Sequence, residues 1–233
     1  MSDIRDDARA GFLDLVGRDA SGVWSAPGSV TLPMADGLSL TFAADRRVVI
    51  ALGLRDDRVA RVANAATGDV AELDLADLDI VRALGADLDA VPGFDLVVES
   101  DVPDALDPAG ALEAAVAVAL NDAWRLGQDA PTLARMVRRP ALILGEPDFD
   151  GVVLVMDSGL TASGTELDLA AETATASGAV RTWAVGGAVL ALLDADDLSR
   201  VLVSIDGAFA EHGIAQPDTY AVSAGFGARR EPG

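Results

Sequence analysis

The most informative stretch of this sequence is an apolar run followed by a helix-start signal. It reads Phe94-Asp95-Leu96-Val97-Val98-Glu99-Ser100-Asp101-Val102-Pro103 and continues Asp104-Ala105-Leu106-Asp107-Pro108-Ala109-Gly110-Ala111-Leu112. The apolar run over 94–99 predicts a buried strand. Asp107 is the expected N-cap of the next helix, with Pro108 at its first position. We expect that helix to cover residues 109–126 and to end at Gly127.

The residues before this stretch predict one helix and a mostly antiparallel sheet. Apolar residues at helical spacing over 3–16 predict an amphipathic helix that ends at Gly17. Short β-branched or alternating runs predict strands at 22–26, 29–32, 38–42, 46–54, 58–64 and 69–73. The turns between them are expected at Pro27-Gly28, Asp36-Gly37, Asp56-Asp57 and Thr67-Gly68.

The second half of the chain alternates strand and helix patterns. Asp129 is expected to start a helix, and the polar residues 146–150 indicate a boundary between a lobe at 1–148 and a lobe at 149–233. Strands are predicted at 152–156, across Trp183, at 189–193 and at 219–223. Helices are predicted near 166–177 and from a cap at Asp196 or Asp197 to about Glu211. The predicted fold class is α+β, with a small ferredoxin-like second lobe.

The composition excludes several kinds of chemistry. The chain has 38 acidic residues against 17 basic ones, a formal charge of −21, and every basic residue is arginine. This charge repels nucleic acids and anionic membranes, so we expect neither as a partner. A phosphate-loop lysine and a cysteine nucleophile or ligand are impossible. The apolar runs are too short to span a bilayer and no signal-peptide pattern opens the sequence, so a cytoplasmic protein is expected.

Five pieces of the chain resemble galactokinases, which are GHMP small-molecule kinases, and the first contains a strand. Gly22-Val23-Trp24-Ser25-Ala26-Pro27-Gly28 is similar to the segment that leads into the family's Ala-Pro-Gly-Arg-Val-Asn signature. Ser29 stands where that family has its catalytic arginine, and Thr31 replaces the asparagine. The family's Gly-Glu-His-Thr-Asp sugar-recognition segment is shortened to Pro33-Met34-Ala35. The resemblance therefore implies the family's scaffold without this part of its chemistry.

The second piece is a degenerate phosphate loop. Residues 94–103 resemble the strand before the family's Gly-x-Gly-Leu-Ser-Ser-Ser-Ala-Ala-Leu loop, whose backbone amides bind the nucleotide phosphates. Asp104, Asp107 and Gly110 stand in that region here, and the serines are missing. A carboxylate at Asp107 would occupy the phosphate position, and Pro108 removes one amide donor. We therefore expect this anion site to be closed.

The third and fourth pieces have lost a motif each. Residues 133–139 resemble the helix that leads to the family's Gly-Ile-Met-Asp-Gln motif, but Arg139 is followed directly by Pro140, so the catalytic aspartate is missing. Of the family's Gly-Gly-Gly-Phe-Gly-Gly loop only Gly186-Gly187 remain, and residues 224–229 resemble the family's Ala-Gly-Ala-Arg end. The resemblance implies a GHMP-kinase-like two-lobe fold with no recognisable catalytic residue.

Other polar residues have structural interpretations that we favour. Helix capping or solvation accounts for two acidic groups that could otherwise hold magnesium: Asp101, Asp104 and Asp107, and Asp194, Asp196 and Asp197. Asp157-Ser158-Gly159 is expected to be a strand end, although Asp157 could act as a nucleophile. His212 is expected to be an exposed residue at the end of a helix, without a partner nucleophile. Trp24, Trp124 and Trp183 are expected to be core anchors.

Two functional hypotheses follow. In the first, the protein is a galactokinase-like pseudoenzyme that needs no cofactor and serves as a binding, regulatory or assembly protein. It would act through a protein partner or through self-association, and a small sugar is a possible ligand. In the second, it is a divergent ATP-dependent sugar or small-alcohol kinase. There Asp101 or Asp104 would hold magnesium, and Arg138 or Arg139 would bind phosphate.

Overall fold

The computed structural model describes residues 3–33, 36, 38–145, 151–157, 164–185 and 187–232. The helices are α1 (Ile4–Val16), α2 (Asp79–Ala83), α3 (Pro108–Ala123), α4 (Ala130–Met136), α5 (Pro140–Leu144), α6 (Gly164–Ala176) and α7 (Leu198–Glu211). The strands are β1 (Gly22–Pro33), β2 (Ser39–Leu54), β3 (Val59–Asn64), β4 (Val70–Asp74), β5 (Phe94–Ser100), β6 (Val152–Asp157), β7 (Arg181–Val185), β8 (Ala188–Leu193), β9 (Asp218–Val222) and β10 (Arg229–Arg230). Among the described residues, no helix combines the length and the apolar character that a membrane-spanning segment needs.

A six-stranded sheet with helices on both faces forms the first part of the fold. Its order is β10-β1-β2-β5-β3-β4, and every pair is antiparallel except β3–β5. Alternate side chains of its central strands point to opposite faces. Val49 and Val97 pack with Phe12 of α1, whereas Ile50 and Leu96 belong to the larger core that includes α3. The predicted mostly antiparallel sheet is confirmed, and burial on both faces explains its long apolar strands.

The second sheet has the ferredoxin-like arrangement that the sequence predicts. Its elements follow one another as β6-α6-β7-β8-α7-β9, and its strand order is β7-β8-β6-β9 with all pairs antiparallel. One face packs against α6 and α7 through Leu154, Ala174 and Phe209. The opposite face, with Val153 and Val155, belongs to the same core as the first sheet. The two sheets are therefore joined through buried apolar contacts.

Two predicted boundaries are wrong. Pro27-Gly28 is not a turn but lies inside β1, where the register with β2 shifts between Pro27 and Ser29. Strand β1 joins the strands predicted at 22–26 and 29–32, and β2 joins those predicted at 38–42 and 46–54. A Cβ at position 28 would lie 2.8 Å from the Leu106 carbonyl oxygen, so glycine permits close packing there. Helix α3 ends at Ala123, before the predicted Leu126. The predicted bounds of α7 are confirmed, since Asp197 is the residue before its first turn and Glu211 is its last residue, but the Asp197 carboxylate pairs with Arg200 (2.7 Å) and makes no capping bond.

The chain returns to the first sheet after β9. Ala224 bridges to Ala44, Phe226 bridges to Gly145, and β10 pairs with β1 through Trp24 and Arg230. The predicted lobe boundary at 146–150 lies outside the described residues, so the division at 148/149 stays a prediction. Residues 224–230 nevertheless lie against the first sheet.

Candidate functional site

A cleft of about 430 Å³ brings together positions that the sequence singled out separately. Strands β1 and β2 supply one wall, the start of α3 supplies Asp107, and the α4–α5 corner supplies the remaining wall. The lining residues are Ser29, Thr31, Thr41, Asp107, Arg138, Arg139, Pro140, Ala141, Leu142, Leu144 and Gly145. A cleft of about 450 Å³ between α1 and β1, around Leu13 and Arg230, contains none of the predicted site residues.

Asp107 closes the start of α3. Its Oδ1 accepts a hydrogen bond from the Gly110 amide (3.0 Å), and Pro108 is the first helical residue, so both predictions are confirmed. Asp107 has φ 55°, a left-handed conformation that is unusual for an N-cap. A Cβ at position 110 would overlap the Asp107 carboxylate, so the cap depends on Gly110. The carboxylate thus occupies the place where the helix start could otherwise bind an anion.

Arg139 is committed to two carboxylates. Its Nη1 donates to Asp107 Oδ2 (3.2 Å) and its Nε donates to Glu113 Oε2 (3.0 Å). All three side chains are more than a third exposed, so each ion pair contributes only about 0–1 kcal/mol to stability. The contacts nevertheless fix the orientation of Arg139 and neutralise Asp107.

Arg138 has a different environment from its neighbour. It is exposed, it lines the cleft, and it has no hydrogen-bonding or ion-pair partner for its side chain among the described residues. Its φ is 56°, because it occupies the left-handed position just after α4. The amide of Arg139 donates back to the Ala134 carbonyl oxygen (3.1 Å), which is the six-to-one bond of a Schellman ending.

The opposite wall of the cleft presents hydroxyl groups. Thr31 and Thr41 are paired across β1 and β2, and their Oγ1 atoms lie 2.9 Å apart. Ser29 lies two residues before Thr31 on β1 and is half-buried. Hydroxyls both donate and accept hydrogen bonds, so this wall suits a ligand that carries hydroxyl groups.

The acidic residues considered for magnesium do not share one site. Asp101 accepts from the Arg47 amide (2.5 Å) and lies 3.7 Å from Arg46 Nη1, whereas Asp107 pairs with Arg139. Asp104 lies in a short 3₁₀ turn over 104–106. Asp194 and Asp196 belong to the turn before α7. Within the described ranges, no group of three or more His, Cys, Asp or Glu side chains could hold a metal ion.

The remaining predicted residues are spread over the second sheet and the core. Asp157 ends β6, whereas Ser158, Gly159, Gly186, Met34 and Ala35 lie outside the described residues. Gly187 has φ 95° between β7 and β8. His212 ends α7 and is exposed, with Nδ1 2.8 Å from the Ala208 carbonyl oxygen. Trp24 is buried in the core as predicted, whereas Trp124 and Trp183 are half-buried.

Sequence reasoning missed a buried ionic cluster around Glu231. Its carboxylate, with only 2% of the side chain exposed, accepts hydrogen bonds from Ser25 and from Arg229 Nε (3.2 Å). Burial by itself raises the pKa of Glu231, but the Ser25 hydrogen bond and the charges of Arg229 and Arg47 together hold it below its usual value. Burial and the nearby Arg229 lower the pKa of Arg47 to about 10. The Arg229-Arg230-Glu231 run carries no sequence signal of burial.

Tyr220 was missed as well. Its hydroxyl is buried and has no hydrogen-bond partner among the described residues. Burial, followed by the charges of Asp157, Asp104 and Asp218, raises the pKa of Tyr220 to about 12. The phenol is therefore neutral at physiological pH.

Comparison with known proteins shows which folds and sequences this chain is similar to. No family model matches the chain. Galactokinase from Streptomyces coelicolor is 33% identical over 149 residues, which cover 55% of this chain and 38% of that protein. A crystal structure of Lactococcus lactis galactokinase complexed with galactose matches with a TM-score of 0.77 and 13% identity, over 98% of this chain and 100% of that chain. The crystal structure of Methanococcus jannaschii mevalonate kinase matches with a TM-score of 0.65 and 10% identity, over 87% of this chain and 98% of that chain.

The two kinds of match agree with the resemblance drawn from the motifs. The structural matches establish the fold, and the sequence match connects the chain to galactokinase in particular. The chain matches well under half the length of its Streptomyces relative. The chain therefore has the fold of these kinases, and over the matched part its sequence is similar to galactokinase.

Proposed function

We propose that this protein has lost phosphotransfer activity and acts as a noncatalytic binding, regulatory or assembly protein. The observation that carries the proposal is the start of α3. There the Asp107 carboxylate caps the helix and pairs with Arg139, while Pro108 lacks an amide donor. A nucleotide phosphate would have to displace a carboxylate from this helix start, which lines the cleft.

The energetic argument concerns charge. Phosphoryl transfer depends on positioning the phosphates and on stabilising their negative charge, so it requires positive groups and free amides around them. Here Ser29 and Thr31 replace an arginine and an asparagine of the family signature, and Arg139 is held by Asp107 and Glu113. The formal charge of −21 adds a repulsive field for nucleotides.

The test is a titration with Mg–ATP, with and without D-galactose, combined with an ADP-release assay over a panel of sugars and small alcohols. We expect no saturable heat at millimolar nucleotide and no ADP above the buffer background. An active galactokinase, assayed in parallel, controls for the assay. Tight, magnesium-dependent ATP binding, or turnover of any member of the panel, would contradict the proposal.

One observation favours the second candidate, a divergent small-molecule kinase. Arg138 lines the cleft with its guanidinium unpaired among the described residues, so it could bind a phosphate. In that case the ADP-release assay detects turnover, and Arg138→Gln reduces it. Without turnover in the unmodified protein, this candidate is rejected.

A further inference from the structure

We propose that the cleft binds a small hydroxylated monocarboxylate, and that Arg138 is the residue that anchors its carboxylate. This inference rests on the proposed function, because a cleft that served phosphotransfer would be occupied by nucleotide phosphates. It adds to that function a chemical class of ligand.

The first argument is the unpaired guanidinium. Acidic residues outnumber arginines by 38 to 17 in this chain, and most of the arginines pair with a carboxylate among the described residues. Arg139, the next residue, is held by two carboxylates, whereas Arg138 contacts none among the described residues. A guanidinium that faces a cleft binds a carboxylate through two parallel hydrogen bonds.

The second argument is the charge of the lining residues. Among the charged residues that line the cleft, Asp107 pairs with Arg139, and Arg138 is the one without an ion-pair partner in the described part of the chain. Glu113, the other partner of Arg139, lines a separate apolar cleft with Phe94 and Leu112. One positive charge matches a carboxylate of charge −1. A phosphate monoester carries about −1.5 to −2 at neutral pH and would be repelled more strongly by Asp107.

The third argument is the shape and polarity of the walls. Ser29, Thr31 and Thr41 present hydroxyls on one side, and Ala141, Leu142 and Leu144 present apolar groups on the other. A volume of about 430 Å³ lies within the range of small-molecule sites. These walls suit a short chain or ring with hydroxyls on one side and C–H groups on the other.

Arg125 provides a matched comparison within the same molecule. It follows α3 as Arg138 follows α4: its φ is 56°, and the Leu126 amide donates back to Asn121 (2.9 Å). Its side chain also has no ion pair among the described residues, but it lies in another cleft, with Trp24 and Asp122, at the far end of α3. Helix α3 is about 24 Å long, so Arg125 is remote from Asp107.

The experiment compares Arg138→Gly with Arg125→Gly in the full chain. Both changes remove one positive charge, and both replace a left-handed arginine by glycine, so neither is expected to unfold the protein. Each protein is titrated calorimetrically with D-galactonate, D-galactose and galactose 1-phosphate. We expect the unmodified protein and Arg125→Gly to bind D-galactonate in preference to the other two. Arg138→Gly should bind D-galactonate about 10- to 100-fold more weakly.

Three outcomes would overturn the proposal: no saturable binding of D-galactonate at millimolar concentration, equal binding by Arg138→Gly and the unmodified protein, or tighter binding of galactose 1-phosphate or D-galactose. ADP release is measured on the same samples. Turnover rejects the proposed loss of activity, whereas absence of both turnover and galactonate binding rejects the carboxylate site alone.

Discussion

The Asp107 carboxylate binds two partners, one through each oxygen. A substitution can therefore remove its negative charge and still keep a hydrogen-bond acceptor of similar shape. Oδ1 accepts from the Gly110 amide and Oδ2 accepts from Arg139. Asparagine at this position keeps an oxygen for the amide but removes the negative charge. The substitution therefore tests electrostatics without removing the helix cap.

We expect Asp107→Asn to bind inorganic phosphate about fivefold more tightly than the unmodified protein, because one negative charge near the anion is gone. Stability should fall by no more than about 1 kcal/mol, since the lost ion pair with Arg139 is partly exposed. A calorimetric phosphate titration and a urea melt measure the two effects. Asp104→Asn, which alters an exposed carboxylate in the preceding turn, is the control and should change neither. Unchanged phosphate affinity in Asp107→Asn would contradict the closed-site interpretation.

Glu231 predicts a specific acid sensitivity. Its pKa is lower in the folded state than in the unfolded chain, so its contribution to stability is present above the unfolded value, about 4.3, and is lost as the pH falls through the folded value. Glu231→Gln should cost about 3 kcal/mol at neutral pH, because Arg47 and Arg229 lose a buried partner. The difference in free energy of unfolding between Glu231→Gln and the unmodified protein should become smaller below about pH 4.

Urea melts at neutral and acidic pH measure this effect. Glu211→Gln, at an exposed position at the end of α7, is the matched control and should leave the free energy of unfolding unchanged at every pH. The assigned role of the carboxylate is rejected if Glu231→Gln lowers the free energy of unfolding by the same amount at neutral and at acidic pH.

Helices α3 and α4 end in the same way, with arginine where glycine is preferred. A left-handed conformation costs a residue with a Cβ roughly 1 kcal/mol or more. We therefore expect Arg125→Gly and Arg138→Gly each to raise the free energy of unfolding by about 1 kcal/mol. Arg125→Ala and Arg138→Ala, which remove the same charge but keep a Cβ, should not stabilise. If glycine and alanine behave alike in urea melts, backbone strain is not the cause.

The elements that could be predicted from sequence are those whose signals are local. The cap at Asp107 followed by Pro108 located the start of α3, and the alternating strand and helix patterns after residue 150 indicated the ferredoxin-like arrangement. The turn at Pro27-Gly28 was wrong because Gly28 serves a distant contact with Leu106. That contact is tertiary, so composition near residue 28 could not reveal it.

The candidate site was predictable only in part. Family motifs drew attention to Ser29, Thr31, Asp107 and Arg139, yet nothing local in the sequence indicates that they line one cleft. Thr41 and Leu142 also line the cleft and were not singled out as site residues. The ion pair between Arg139 and Asp107 joins residues 32 positions apart, so it depends on how α4 and α5 pack beside α3.

At the scale of the whole molecule, exposed apolar side chains favour self-association, whereas a large negative charge opposes it. Val203, Val180 and Phe226 are each about two-thirds or more exposed, at 71%, 68% and 67%. The charge of −21 opposes contact between copies at low ionic strength and is screened by salt. We expect self-association that strengthens as salt is raised, measured by sedimentation velocity at micromolar protein. A monomer at every salt concentration would contradict this expectation.

Strand β1 touches three distant parts of the molecule along its 12 residues. Ser25 contacts Glu231, Ser29 and Thr31 line the cleft, and the Pro33 carbonyl oxygen accepts a hydrogen bond from the Trp183 indole (2.6 Å). Because one continuous backbone connects these contacts, they share any mechanical load. A pulling force applied at Arg230 in β10 would pass into β1, along the cleft, and on to the second sheet. A ligand in the cleft should therefore raise the force needed to separate β1 from β2.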